Sequence, residues 1–201
     1  MVLVDSHDFG EVMYTLTSLI VAAYNPTANT YGTPEMIADG QMLGVEPEAD
    51  NDKLRGYGQN RRGLSVVIGA KVSFKAGGID FSALSLMCNV VNTTTGASGS
   101  QVRRTPMVGG GNGLPYFGAI GVGAVDGGGV AVIGVPMIKL DTYPKYELNG
   151  ETNKFILWET AGYAFIPSGL TYPYVLEEHE TAATWVPPTT GSAFKTCMMG
   201  A

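Results

Sequence analysis

Charged side chains, histidine and cysteine are all scarce in this sequence. Asp, Glu, Lys and Arg make up 15% of the 201 residues, against roughly 25% in typical soluble domains, and there are two histidines and two cysteines. His7 and His179 belong to no zinc-binding pattern, and neither lies beside a Gly-x-Ser-x-Gly nucleophile motif. Because catalysis needs positioned titratable groups, we predict that the protein is not an enzyme and takes no cofactor and no metal.

The sequence also lacks the marks of export and of membrane insertion. Its longest uncharged apolar runs, such as Leu19–Tyr24, are far shorter than the roughly 20 residues of a spanning helix. Met1–Gly10 has no basic region of the kind that opens a signal peptide. The spacing of Cys88 and Cys197 fits no metal site. We therefore expect a soluble, cytosolic protein with two reduced thiols and no membrane partner.

Apolar residues, glycine and proline are what the sequence has in quantity. Apolar residues are 45% of the chain, with 28 glycines and 11 prolines, which favours short strands joined by tight turns. With so few charges, we expect further copies of the chain to cover much of the surface. The net charge of −6 argues against a reader of nucleic acid, which needs a basic face. It suits a passage through which DNA slides without adsorbing.

Strand patterns run along most of the chain, and one helix interrupts them. Apolar side chains that alternate with polar ones predict strands as far as Ile166. Hairpin turns are predicted at 126–129 and at Asn149–Gly150, where glycine permits positive φ. Asp80 is predicted to cap a short amphipathic helix over about 80–89.

The predicted fold is mainly β, a two-sheet antiparallel sandwich or barrel flanked by that one short helix. It occupies residues 19–166 and includes a long polar loop at 49–63, which has no apolar period. Residues 1–18 are predicted to form an N-terminal arm, and residues 167–201 an extended C-terminal segment. The chain has no internal repeat with a fixed period.

Acidic and basic residues are segregated between residues 35 and 75. Six acids and no base lie in 35–52, and six bases and no acid lie in 53–75. Either adjacent strands have solvated charged faces, or an acidic edge of one copy binds a basic loop of the next in a head-to-tail contact. On the second interpretation the ring-stacking loop contains Asp50, Asp52, Lys53, Arg55, Tyr57, Arg61 and Arg62. The complementary acidic surface contains Glu35, Asp39, Glu46 and Glu48.

Several segments share a further pattern of glycines, prolines and hydrophobic residues. They are 24–27 (Tyr-Asn-Pro-Thr), 31–34 (Tyr-Gly-Thr-Pro), 43–50 (Leu-Gly-Val-Glu-Pro-Glu-Ala-Asp), 65–72, 77–84 (Gly-Gly-Ile-Asp-Phe-Ser-Ala-Leu), 113–118 (Gly-Leu-Pro-Tyr-Phe-Gly) and 145–155. Together they resemble the major tail proteins, the tail-tube subunits, of long-tailed, siphovirus-like bacteriophages. The resemblance extends from about Ala22 to Ala164 and covers most of the chain.

This resemblance implies subunits that join into hexameric rings, and rings that stack into a tube through a long loop and the terminal arms. The partners it implies are further copies of the chain, a tape-measure protein during assembly, tail terminator and distal tail proteins, and DNA in transit. The implied location is the virion tail, assembled in the host cytoplasm. The expected function is a structural subunit of a conduit for DNA during ejection.

Three other functions are compatible with a β-rich chain of this composition. A carbohydrate-binding sandwich needs an exposed row of aromatic side chains, for which the candidates are Tyr143, Tyr146, Trp158, Tyr163, Tyr172, Tyr174 and Trp185. A hydrolase needs a positioned pair of carboxylates, and no pair stands out among the 18 acids. A capsid decoration protein is a further alternative within the structural class.

Overall fold

The structure is a computed structural model that describes residues 13–37, 39–56, 59–78, 80–104, 113–125, 128–146 and 157–199, with the backbone alone at 13–15, 50–56, 59–67, 146 and 157. The strands are β1 (Met13–Asn25), β2 (Thr30–Tyr31), β3 (Glu35–Met36), β4 (Gly40–Gly56), β5 (Gln59–Gly77), β6 (Thr93–Thr95), β7 (Val102–Arg104), β8 (Tyr116–Val125), β9 (Val130–Leu140), β10 (Lys145–Tyr146), β11 (Leu157–Phe165) and β12 (Val175–His179). The helices are α1 (Phe81–Cys88) and α2 (Gly191–Met199), with a 3-10 turn at Ala182–Thr184. No helix within these ranges is long and apolar enough to cross a membrane.

One antiparallel sheet contains ten of these strands. Its order is β2-β1-β8-β9-β11-β5-β4, with β3 also paired to β1, β10 to β11 and β12 to β9. The sheet curls until β4 packs against β1 and β8, so that a Cβ on Gly40 would lie 2.8 Å from the Cβ of Leu19, and one on Gly121 2.9 Å from Leu43 Cδ2. In the described part of the chain no ladder joins β1 to β4. The mainly β, antiparallel prediction is confirmed, but one curled, open sheet takes the place of two separate sheets or a closed barrel.

The main hydrophobic core lies between the curled sheet and α1. Along β5, Ala70, Val72, Phe74 and Ala76 are buried while the alternate side chains point away from the core, which is the period-2 pattern of a half-buried strand. The buried residues of α1 are Ala83, Leu84, Met87 and Cys88. Asp80 caps this helix by accepting hydrogen bonds from the backbone amides of Ser82 and Ala83, both at 3.0 Å. The predicted helix at 80–89 is confirmed.

A second core lies on the opposite face of β1, β8 and β9. β1 buries side chains on both faces, because Leu19 and Val21 belong to the first core while Ile20 and Ala22 belong to the second. The second core is closed by α2, whose Phe194 and Met198 are 0% and 1% exposed. The two cores therefore bury both faces of β1.

The structure corrects the prediction of an extended C-terminal segment at 167–201. β12 pairs with the first half of β9, from Val175 opposite Gly134 to His179 opposite Val130. Farther on, the hydroxyl of Thr190 accepts a hydrogen bond from the Ala193 amide at 3.2 Å and begins α2. Because apolar residues in α2 meet the second core, this part of the chain folds back onto the body.

The structure also corrects the predictions of an N-terminal arm and a polar loop, because both contain strand residues. Residues 13–18, predicted as part of an arm over 1–18, belong to β1 and pair with β8, while residues 1–12 lie outside the described residues. The polar segment 49–63, predicted as a loop, is antiparallel strand backbone at 49–56 and 59–63. The predicted hairpin between β8 and β9 is confirmed, whereas Asn149–Gly150 lies outside the described residues.

Replacing Phe194 with alanine tests whether the C-terminal helix is part of the folded body. Removing a fully buried phenylalanine typically costs about 3–5 kcal/mol of unfolding free energy, so the midpoint of urea denaturation is expected to fall sharply. Thr196→Ala, at an exposed position of the same helix, is the control and is expected to leave the midpoint nearly unchanged. Equal midpoints for the two variants would contradict the packing of α2.

Candidate assembly surface

A two-stranded arm extends beyond the body of the sheet. β5 pairs with β11 only from Ala70 to Gly77, whereas its pairing with β4 continues to Gln59 opposite Gly56. Residues 49–56 and 59–67, here called the arm, thus pair only with each other among the described residues. At about 3.3 Å per residue the arm is about 25 Å long. Since an isolated two-stranded hairpin is marginally stable in water, the arm is an element that gains from contact with another molecule.

A β-bulge lies where the arm leaves the body. Glu48 pairs with Gly69 but Ala49 pairs with Val67, so Ile68 is the extra residue of β5. The alternation along β5 would bury Ile68 with Ala70, yet Ile68 is 60% exposed, because a bulge bends the strand and redirects its side chains.

Two more apolar side chains are exposed at the same end of the sheet. Phe165 and Ile166 are 40% and 36% exposed, just beyond the pairing of Ala164 with Ala70. Phe165 also packs its ring edge-on to Tyr116, at 6.0 Å between centroids. Ile68, Phe165 and Ile166 are named the root patch. An apolar patch of this kind at the base of a projecting element is typical of a surface that another molecule covers.

Acidic and basic residues that are separate in sequence become cross-strand neighbours at the base of the arm. Glu46 on β4 pairs with Lys71 on β5, and Lys71 Nζ lies 3.0 Å from Glu48 Oε1. The hydrogen bond that Lys71 donates to Glu48, and then the negative charge of Glu48, raise the pKa of Lys71. Opposite charges facing each other across strands stabilise a hairpin modestly. Part of the charge segregation therefore serves pairing within one subunit.

A second ion pair joins β5 to β11. Lys75 Nζ lies 2.7 Å from Glu159 Oε1. The hydrogen bond from Lys75 and then its positive charge lower the pKa of Glu159. Glu159 was not among the acids predicted to matter, because only the pairing of β11 with β5 brings it to Lys75.

The predicted site residues are divided between the body and the arm. On the body, Glu35 lies on β3 and Asp39 precedes β4 with a positive φ of 54°; Glu46 and Glu48 follow on β4. On the arm, Asp50, Asp52, Lys53 and Arg55 lie on β4, and Arg61 and Arg62 on β5. Tyr57 lies outside the described residues. Glu46 and Glu48 thus lie at the base of the arm, whereas Asp39 lies at the opposite end of β4, where Gly40 pairs with Ala76, and Glu35 pairs with Val21 on β1.

The backbone places the four basic residues together at the tip of the arm. Lys53 pairs with Gly63, Leu54 with Arg62 and Arg55 with Asn60, so Arg61 is the extra residue of a second bulge. Bulges next to functional positions redirect side chains and interrupt pairing. The tip therefore combines a local concentration of positive charge with an irregular edge.

Among the strands of five or more residues, two have one edge without a partner in the described part of the chain. β4, 17 residues long, pairs only with β5, and β12 pairs only with β9. Unpaired edges present rows of backbone donors and acceptors that another strand can join. These edges and the arm form the candidate assembly surface.

The histidine and cysteine side chains considered for catalysis or metal binding lie outside the arm where they are described: His179 on β12, Cys88 on α1 and Cys197 on α2. His179 Nδ1 lies 3.2 Å from Thr184 Oγ1 and its Nε2 3.6 Å from Glu177 Oε2, while His7 lies outside the described residues. Burial raises the pKa of the Cys88 thiol to about 11, and burial followed by the charge of Glu177 raises that of Cys197. Both thiols are thereby kept protonated and weakly nucleophilic at neutral pH. In the described ranges no three His, Cys, Asp or Glu side chains are grouped to hold a metal ion.

The aromatic residues considered for carbohydrate binding do not line one exposed row where their side chains are described. Trp158 is fully buried in the main core. Tyr163, Tyr172, Tyr174 and Trp185 are half-buried, and Tyr143 is exposed. Only the backbone of Tyr146 is described.

The chain matches no protein-family model, and no curated protein matches it. Among solved structures it is similar to a chain in the "Cryo-EM structure of the anti-feeding prophage (AFP) baseplate, 6-fold symmetrised". The two chains are 10% identical, with a TM-score of 0.40, over 83% of this chain and 95% of that chain. The likeness assigns no role to any residue.

The ion pair between Lys75 and Glu159 predicts a pH-dependent contribution to stability. Because the pKa of Glu159 is lowered in the folded state, the contribution is complete above its ordinary value of 4.5 and is lost as the pH falls through the folded-state pKa. The difference in urea midpoint between wild type and Lys75→Met is therefore expected to be largest near neutral pH and to vanish in acid. Glu180→Gln, which removes no ion pair within the described residues, serves as the control. A difference that stays constant with pH would mean that packing, not charge, is lost.

Proposed function

We propose that the protein is a structural subunit of a phage tail tube, which self-assembles into stacked hexameric rings that form a conduit for DNA. The observation that carries the proposal is the arm, whose two strands pair with each other in the described part of the chain and extend beyond the body, together with the root patch beneath it. The resemblance of residues 22–164 to major tail proteins supports the same function. On this proposal the protein is not an enzyme.

Unfinished β-structure favours further copies of the chain as the partner. Among the described residues the 17-residue β4 has a strand partner on one side only, and another extended segment can pair with its second edge in a repeating way. Ile68 on the root patch is 60% exposed, and covering it releases free energy in proportion to the apolar area buried. Hydrogen bonding at the edge of β4 would set the direction of the contact, and burial of the root patch would supply binding free energy.

The charge distribution suits a conduit for DNA. The net charge of −6 repels phosphates, and over a Debye length of about 8 Å at physiological ionic strength this repulsion prevents adsorption. Four bases concentrate at the arm tip, where they are available to bind an acidic surface of the adjacent ring. DNA transit and ring stacking then use different parts of one subunit.

Reversing charge at the tip tests the stacking contact. Arg61→Glu combined with Arg62→Glu is expected to leave a folded subunit, shown by an unchanged circular dichroism spectrum and urea midpoint. The variant is expected to form no tubes in negative-stain electron microscopy under conditions in which the wild type does. The matched control, Arg61→Lys with Arg62→Lys, keeps the charge and is expected to polymerise.

Tubes formed normally by the glutamate variant would place the stacking contact elsewhere while leaving the tube itself intact. A wild-type protein that stays monomeric up to millimolar concentration, with no annular or tubular species, would overturn the proposed function. Glycan binding by such a monomer would support the carbohydrate-binding alternative.

A further inference from the structure

A second small hairpin projects from the body on the side of α1. In the part of the chain that the structure describes, β6 and β7 pair only with each other, Thr93 with Arg104, Thr94 with Arg103 and Thr95 with Val102. All six residues are exposed, including Val102 at 51%. A two-stranded hairpin with no packed face is marginal on its own, so it needs either an anchor or a partner.

The anchor is at its base. The Arg103 guanidinium lies 5.7 Å from the centroid of the Phe81 ring on α1, within the range of a cation–π contact. The Asn92 amide donates a hydrogen bond of 2.7 Å to the backbone carbonyl of Phe81, and Ser85 Oγ donates one of 2.6 Å to that of Val90. These contacts orient the hairpin while Val102 and Arg104, two residues apart on one strand, stay exposed.

The hairpin is a positively charged element on an acidic chain. Arg103 and Arg104 are the only charged residues from 81 to 125. Neither guanidinium has an acidic partner among the described residues. An acidic surface on another molecule would therefore provide these two guanidinium groups with charge partners.

The sequence around the open edge of β12 is acidic, opposite in charge to the β6–β7 hairpin. Four acids and no Lys or Arg occur from 155 to 194. On β12, Leu176 is 65% exposed and Glu178 is exposed two residues later, followed by exposed Glu180. Neither glutamate has an ion-pair partner in the described part of the chain. An exposed apolar and a charged side chain two residues apart thus occur on both surfaces, with charges of opposite sign.

We propose that the hairpin 93–104 of one copy docks against the open edge of β12 in a second copy. Arg104 would face Glu178 and Val102 would bury surface against Leu176, while Arg103 and Glu180 add charges of opposite sign on the two sides of the junction. Strand addition at the β12 edge satisfies backbone groups, and opposite charges across the junction set the choice of partner.

The hairpin and the β12 edge are different surfaces, so a contact in which each copy gives its hairpin to the next copy and receives that of the previous one is heterologous. Heterologous contacts generate rings if they close and filaments if they do not. The inference rests on the proposed function in one respect, namely that it supplies a second contact, distinct from the arm, for the same assembly.

Complementary charge reversals test the contact. The hairpin variant is Arg103→Glu with Arg104→Glu, and the edge variant is Glu178→Arg with Glu180→Arg. Each variant alone juxtaposes like charges at every junction, so the protein concentration needed for assembly is expected to rise more than about tenfold. In an equimolar mixture each reversed hairpin meets a reversed edge and each native hairpin a native edge, so assembly is expected to return. Sedimentation velocity measures association, and negative-stain imaging its form.

Two controls separate the contact from folding. Arg104→Glu alone leaves the Arg103–Phe81 contact in place and is expected to show the same defect in weaker form, with an unchanged urea midpoint. Arg103→Lys with Arg104→Lys keeps the charge and is expected to assemble. Raising the salt concentration should weaken the wild-type contact, since the charges are exposed.

The outcomes for the two proposals are distinct. Wild-type tubes that both charge-reversed variants also form would overturn the hairpin contact and leave the tube proposal standing. A wild type that forms no tubes but associates in a salt-sensitive way, lost in each variant and recovered in the mixture, would keep the contact and overturn the tube. A mixture that fails to recover association would also overturn the contact.

Discussion

Strands at the border of a sheet leave half of their backbone donors and acceptors without a strand partner, and this constraint shapes the whole subunit. The sheet curls until β4 packs against β1 and β8, yet no ladder closes it in the described part of the chain. Packing of side chains between β4 and β1 thus fills the interior without satisfying either edge. Such a subunit has a filled core but open sheet edges in its described part. Its folding stability therefore depends on the core, and its association depends on the edges.

Charge acts at two levels in this design. Lys71 contacts Glu48 at the base of the arm, and Lys75 contacts Glu159 farther along β5, so acids and bases that are separate in sequence neutralise each other across strands. On the β6–β7 hairpin, Arg103 and Arg104 have no acidic partner among the described residues, and the backbone brings four more bases together at the tip of the arm. Ion pairs within the subunit fix register, and the remaining charge is left for contacts between molecules. Because exposed pairs contribute little stability, their value lies in specificity.

Local patterns predicted local structure well. The alternation along β5 and the Asp80 cap of α1 were readable because each depends on neighbours in sequence. The arm was predicted as a loop because residues 49–63 have no apolar period from which a strand could be recognised. The helix α2 was missed although Thr190, Phe194 and Met198 have the spacing of a cap and one helical face, since its reason to form is a core on β1 and β9. The pairing of Glu159 with Lys75 likewise depends on the order of strands in the sheet, which periodicity does not specify.

The direction of association follows from the positions of the basic projections and of the acidic edges on the subunit. The arm and the β6–β7 hairpin are basic projections, whereas the β12 edge and the base of the arm carry exposed acids. When the projection of one copy meets the edge of the next in a head-to-tail contact, a free projection remains at one end and a free edge at the other. Association of this kind continues until geometry closes it. Two such contacts on different elements are the minimum for a structure that both closes into rings and stacks, because one contact alone propagates along a single path.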